Sequence, residues 1–364
     1  MLLVLAAAIA ACGGSGPSTA TSHTSSPART SPVVSVSASG PAPTPSARPV
    51  SQPYGVLVGS QAAATYAVSL VATDGTVAAS GEASSPPVVT CANAAGAPVP
   101  LPVSTSNSRA YFMDAGGVVR FLAPGGESGR ATTVPAPTSS RRASFAVSPD
   151  DQRIAVVVAD YNATGASTRL YVEDLNGGGN HLDIFSESGA RTLWPIGWHG
   201  IQNLVVGVVP SCTQGGGPFC CGIQELHVVD PATATRRFTL GGITTCPVVG
   251  PPSAAGVICW DGSTSKVLSW TGATIRTYPM PGPALQYLSP NGTVVAVVDN
   301  TGTNFLGGGT SISGLYGCTW INDQLVLAGG DSQHQPRIGD LVTPARVVPV
   351  AAQGDCGGRL PGGL

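Results

Sequence analysis

Residues 145–175 constrain this chain more than any other stretch. Phe145-Ala-Val ends in Ser148-Pro149-Asp150-Asp151, where proline presets φ for a turn and aspartate tolerates the tight backbone. Ile154 to Val158 is a β-branched run of buried-strand type, and Leu170 to Leu175 alternates apolar and polar at period two. Three consecutive short strands follow.

Weaker copies recur along the chain. Apolar runs begin near Val56, Tyr111, Ile154, Leu204, Val257, Val294 and Leu325, at intervals of about 45 residues. That is the length of one four-stranded blade in a ring of blades. Abundant glycine and proline, 48 and 32 residues, and no long stretch of helical periodicity agree with an all-β fold. The expected architecture is a β-propeller of seven blades. A count of six stands beside it, if the first and last repeats are halves of one closing blade.

Two turns, Ser148-Pro149-Asp150-Asp151 and Ser289-Pro290-Asn291-Gly292, each precede an apolar strand. They resemble the Ser-Pro-Asp-Gly signature of the TolB-like and WD-repeat-like propellers. The resemblance implies blades around a central channel. Asp151 departs from it by replacing glycine, and no blade ends in Trp-Asp.

The N-terminal segment differs in kind. Met1 to Ala11 is almost wholly apolar and runs into Ile9-Ala10-Ala11-Cys12. Eleven residues are too few for a spanning helix, which needs about 20. A short apolar run followed by small residues is an export signal. The ending Ile-Ala-Ala-Cys resembles the bacterial lipobox, which implies lipidation of Cys12 and a membrane anchor. No Lys or Arg precedes the run, a departure that puts the translation start upstream of Met1. Residues 12–53, rich in Ser, Thr, Pro and Ala, cannot bury enough surface to offset their ordering entropy. They read as a disordered, semi-stiff tether. The expected division is signal peptide 1–11, tether 12–53, propeller 54–356 and C-terminal tail 357–364.

Eight cysteines follow Cys12: Cys91, Cys212, Cys220, Cys221, Cys246, Cys259, Cys318 and Cys356. An even count in an exported chain points to disulfides. Cys246 and Cys259 flank the Pro251–Gly256 turn and can face one another across a hairpin. Cys212 with Cys220 or Cys221 would close a Gly-Pro-rich loop, and Cys318 with Cys356 would tie down the tail. Cys220-Cys221 has no zinc-site spacing, so no metal is expected.

A net charge of -2 gives no basic footprint for nucleic acid. No cofactor motif has a useful context. Gly177–Gly179, Gly215–Gly217 and Gly307–Gly309 fall between strands with no helix to follow, and read as turns. His181, His199, His227 and His334 are spread along the repeats. Trp194, Trp198, Trp260, Trp270 and Trp320 should pack between blades, with Trp198, His199 and Trp320 the candidates for binding at a rim. Asp150, Asp151, Asp160, Asp174, Asp230, Asp261 and Asp323 lie mostly at turns, and no pair stands out as an acid–base couple.

Two functional readings follow. The first is a lipid-anchored, monomeric, non-catalytic module that docks an envelope protein or glycan through loops on a rigid scaffold. The second is an extracytoplasmic hydrolase or lyase at the channel mouth, which requires several acidic, His or Tyr side chains converging there.

Overall fold

The structure, a computed structural model, describes residues 48–91, 96–163, 165–212, 223, 225–331, 333–344 and 346–364. Cys12, Cys220 and Cys221 lie outside the described residues. All regular structure among the described residues is β, in seven small antiparallel sheets.

Blade 1 comprises β1 (Tyr54–Val58), β2 (Thr65–Ala72), β3 (Val77–Ser84) and the last strand of the chain, β27 (Asp355–Leu360). Blade 2 holds β4 (Val103–Thr105), β5 (Ala110–Met113), β6 (Val118–Leu122) and β7 (Ser128–Thr133). Blade 3 holds β8 (Arg141–Val147), β9 (Arg153–Asn162), β10 (Gly165–Asp174) and β11 (Leu182–Gly189). Blade 4 holds β12 (Arg191–His199), β13 (Asn203–Pro210), β14 (Glu225–Val229) and β15 (Arg236–Leu240). Blade 5 has only β16 (Val257–Trp260), β17 (Thr264–Leu268) and β18 (Thr274–Pro279). Blade 6 is β19 (Leu285–Leu288), β20 (Val295–Val298), β21 (Gly302–Leu306) and β22 (Thr310–Ser313). Blade 7 is β23 (Gly317–Trp320), β24 (Leu325–Ala328), β25 (Arg337–Asp340) and β26 (Val347–Pro349).

The ring closes by pairing the two ends of the propeller. β27 lies antiparallel to β1, with Tyr54 opposite Leu360 and Val58 opposite Asp355. The boundary expected at Cys356 therefore falls inside a strand, and the closing blade extends to Leu360. Glycines 357 and 358 give that strand the look of a tail in the sequence.

The core is divided into seven apolar wedges, each shared by two consecutive blades. One joins Tyr111, Met113 and Phe121 of blade 2 to Phe145, Ile154 and Val156 of blade 3. The wedge that completes the circle joins Leu57 and Val71 of blade 1 to Ile321, Leu327 and Ile338 of blade 7. Successive side chains of a strand point to opposite faces. Ile154, Val156 and Val158 of β9 accordingly serve the wedge with blade 2, and Ala155 and Val157 the wedge with blade 4. A second strand is thus buried on both faces, which explains its unbroken apolar sequence. Each such Val or Ile contributes about 1.5–3 kcal/mol on burial.

Antiparallel order fixes which connections share an end of the ring. Loops leading into inner strands, and those joining second to third strands, emerge at one end; turns between first and second strands emerge at the other. The three disulfides among the described residues lie at the former. Cys91, in the loop before β4, pairs with Cys212, after β13. Cys246, at the entry to the inner position of blade 5, pairs with Cys259 of β16. Cys318 and Cys356 join adjacent inner strands β23 and β27. Cys212 therefore closes a 121-residue separation rather than the local loop expected with Cys220 or Cys221. Three disulfides point to an oxidising, extracytoplasmic compartment.

The chain enters and leaves at the opposite end. The Val50 N–H donates to Asn107 O in the β4–β5 turn, and Gly362 N–H to Ser106 O. Beyond β27, residues 361–364 reach the β12–β13 turn, where Leu364 N–H donates to Trp198 O.

Candidate binding cleft

The turn that organises blade 3 also shows why its acids are structural. Ser148 Oγ accepts the Arg153 N–H at 2.9 Å and donates to Asp150 Oδ1 at 2.6 Å. Asp151 takes the glycine position of the motif with φ 60°, a left-handed backbone that costs a non-glycine residue about 1 kcal/mol. Its carboxylate accepts Tyr111 Oη at 2.7 Å and Ser108 Oγ at 2.5 Å, both from blade 2. The departure from glycine is thus an inter-blade clasp. In blade 6 the same place is held by Gly292, φ 73°.

The other carboxylates singled out in the sequence are similarly committed. Asp160 pairs with Arg141 at 2.7 Å, and Asp174 accepts Asn180 Nδ2 at 2.9 Å. Asp230 accepts the Ala232 N–H and binds Arg237. Asp261 accepts the Ser263 and Thr264 N–H groups and pairs with Lys266 at 2.7 Å; together these hold its carboxyl down at about 2. Asp323 receives the Asn291 N–H at 2.8 Å. Among the described residues, no group of three or more His, Cys, Asp or Glu side chains is placed to hold a metal ion.

The tryptophans are spent on packing. Trp198 and Trp320 are buried, with indole N–H groups donating to Ala146 O and Tyr287 O. Trp194, Trp260 and Trp270 donate likewise to Pro98, Met280 and Ala254 carbonyls. Neither Trp198 nor Trp320 offers a free ring face at a rim. His199, the third candidate for binding at a rim, stacks on Trp270 at 4.5 Å between ring centroids, and its Nδ1 lies 2.7 Å from Leu364 O. Trp270 covers one face of the ring and the tail occupies its Nδ1 edge. His181 is a surface residue held by Glu173 and Asp183, and His334 by Asp331.

What remains is a cleft of about 670 Å³ between blades 3 and 4. These blades are joined where β10 meets the inner strand β12, Thr168 Oγ1 to Thr192 Oγ1 at 3.0 Å. Radial sheets diverge outward, and Gly189 at the end of β11 and Ala190 in the link to β12 are too small to fill the gap. Leu170, Leu193, Val206 and Val208 form its apolar floor. Phe185, 36% exposed, stands at its edge. Glu187, Arg191, Glu225, His227 and Arg236 line the rest. His227 Nε2 lies 2.7 Å from Glu225 Oε2 and 3.2 Å from Arg236 Nη1. One ring nitrogen cannot donate to the carboxylate and accept from the guanidinium together. When Nε2–H donates to Glu225, that Arg236 N–H is left without an acceptor on the ring. Volume, apolar floor and a few polar groups are those of a binding site.

The sequence held one sign of this cleft, His227 in an alternating strand. The others, Leu182 to Gly189 and the Gly189-Ala190 pair, sit in an outer strand whose polar composition resembles a loop.

No family model matches the chain, and no curated protein matches it. Among solved structures it is similar to an oligogalacturonate lyase in complex with manganese, at 11% identity and a TM-score of 0.47 over 79% of this chain and 89% of that one. It is also similar to an oligogalacturonate lyase from Vibrio parahaemolyticus, at 10% identity and a TM-score of 0.46 over 78% and 90%. At these values no activity is carried across.

Proposed function

We propose that this protein is an extracytoplasmic propeller moored through Cys12, acting without catalysis by docking an extended segment of an envelope protein in the cleft between blades 3 and 4. The observation that carries the reading is the cleft itself: an apolar floor flanked by both signs of charge, beside the outermost strand β11. An outer strand has a free backbone edge, and a segment added along it gains main-chain hydrogen bonds while alternate side chains enter the floor. Arg191 and Arg236 would meet acidic side chains, Glu187 and Glu225 basic ones, which sets register more than affinity. A glycan is the weaker occupant, because no tryptophan lines the cleft to stack on sugar.

The test is selection of displayed peptides on the full-length protein, repeated on Ala190→Trp, which fills the cleft from an exposed position. Enriched peptides should alternate apolar and charged residues, and should lose binding at least tenfold with Ala190→Trp. Peptides that bind both proteins equally, or no enrichment, would overturn the cleft as the docking site.

A further inference from the structure

A second site lies at the disulfide-braced mouth of the ring, away from the cleft. On β8, the alternate side chains Ala143, Phe145 and Val147 enter the wedge with blade 2. Arg142 is on the other face. It starts on the inner strand of blade 3, yet its Nη2 donates to Gln61 Oε1, at 3.3 Å, in the β1–β2 loop of blade 1. A side chain joining blade 3 to a loop two blades away lies across the mouth.

Arg142 is only 5% exposed. The ionisable groups that act on it are two phenols, Tyr66 and Tyr161, and no carboxylate. Its neighbour Arg141 is already paired with Asp160. A buried guanidinium cannot shed its proton, so its charge stands uncompensated, a costly arrangement that a bound anion relieves. Tyr66 is spent, its hydroxyl donating to Met113 O at 2.6 Å. Tyr161 is different. It stands two residues from Ala159, the partner of Arg142 across the β8–β9 ladder, and so shares its face. Its hydroxyl forms no hydrogen bond among the described residues, and Tyr161 is only partly buried.

We propose that Arg142 and Tyr161 form a binding site for a carboxylate at this mouth. The planar guanidinium fork matches two carboxylate oxygens, and the phenol supplies a third donor. A single cation in otherwise neutral surroundings suits a monoanion; a phosphate would bring a second charge with no second cation to meet it. Burial pushes the Tyr161 phenol up to about 12, so it remains a donor at any working pH.

The experiment follows thermal unfolding of the full-length protein against acetate, with inorganic phosphate and chloride as comparisons at constant ionic strength. Acetate should raise Tm with dose, phosphate and chloride less. Tyr161→Phe should weaken the apparent acetate affinity about tenfold, the worth of one hydrogen bond to a charged group. Arg142→Gln should abolish the response, and Ala190→Trp should leave it intact. If Arg142→Gln does not fold, Tyr161→Phe still decides. No rise with acetate, equal rises with all three anions, or an unchanged acetate affinity in Tyr161→Phe would each overturn the site.

Discussion

Blades 3 and 5 solve the same problem by different means. Blade 3 has four strands of seven to ten residues, with β8 paired to β9 from Arg141–Asp160 to Val147–Ile154. Blade 5 has three strands of four to six residues. Its inner place is filled by residues 246–250, joined to β16 by one bridge, Val248 to Cys259, and by hydrogen bonds from Val249 N to Ile258 O and Trp260 N to Pro247 O. Pro247, Pro251 and Pro252 supply no N–H, so a continuous ladder is ruled out. The Cys246–Cys259 bond stands where ladder bonds are missing. At Gly250 a Cβ would collide with Gln286 O, so this segment approaches blade 6 backbone to backbone. Covalent bonding and a bare glycine replace regular pairing at the weakest blade.

The largest effect that can break this comparison comes from Cys246→Ala with Cys259→Ala. Removing a bond that closes a loop this short is expected to cost about 3 kcal/mol. Hydrogen exchange should quicken over 246–260 and stay unchanged over 141–174. Equal quickening in both blades would show that the bond serves the whole ring rather than the blade lacking its ladder.

Next is the turn of blade 3. Asp151→Ala leaves the Tyr111 and Ser108 hydroxyls without their acceptor and keeps a side chain at positive φ. Denaturant unfolding should show a loss of about 2–4 kcal/mol. Asp151→Gly removes the strain but not the loss of hydrogen bonds, and should fall between Asp151→Ala and the parent.

A smaller, opposite effect is expected beside blade 5. Gln286 is fully buried, and both polar atoms of its amide lack a partner. Gln286→Leu should raise stability by about 1 kcal/mol.

The smallest effect is that of pH. The Lys266 hydrogen bond, helped by turn N–H groups, holds Asp261 at about 2, below the ordinary 3.8. Its contribution is complete above 3.8 and is lost as pH falls toward 2. His181 runs the other way. The Glu173 hydrogen bond raises it above 6.5, so its contribution is complete below 6.5 and is lost as pH rises through the raised value. Carboxyl titration by NMR should move Asp261 upward in Lys266→Met.

The seven blades were legible because each second strand is buried on both faces and reads as an apolar run, from Val56 to Leu325. Not every inner strand was. Val103–Thr105 is three residues long, and Asp355–Leu360 carries two glycines, so both gain meaning only from their partners across the ring. Outer strands such as Leu182–Gly189 are mostly exposed and polar, hence indistinguishable from loop by periodicity. The Cys91–Cys212 bond joins residues 121 apart and follows from ring geometry rather than local spacing. The cleft was hidden for a related reason, being built by the outer half of blade 3 together with all four strands of blade 4. The turn at Trp198-His199 is legible from local sequence, but nothing local signals that Leu364 reaches it.

Closure of the ring by β27 against β1 is the claim on which blades, wedges, cleft and mouth all depend. Hydrogen exchange of a chain ending at Gly354 tests it most directly. Without β27, Tyr54–Val58 should lose its protection and unfolding should lose its single cooperative transition. Protection at Tyr54–Val58 equal to that of the full chain, with one sharp transition, would contradict closure.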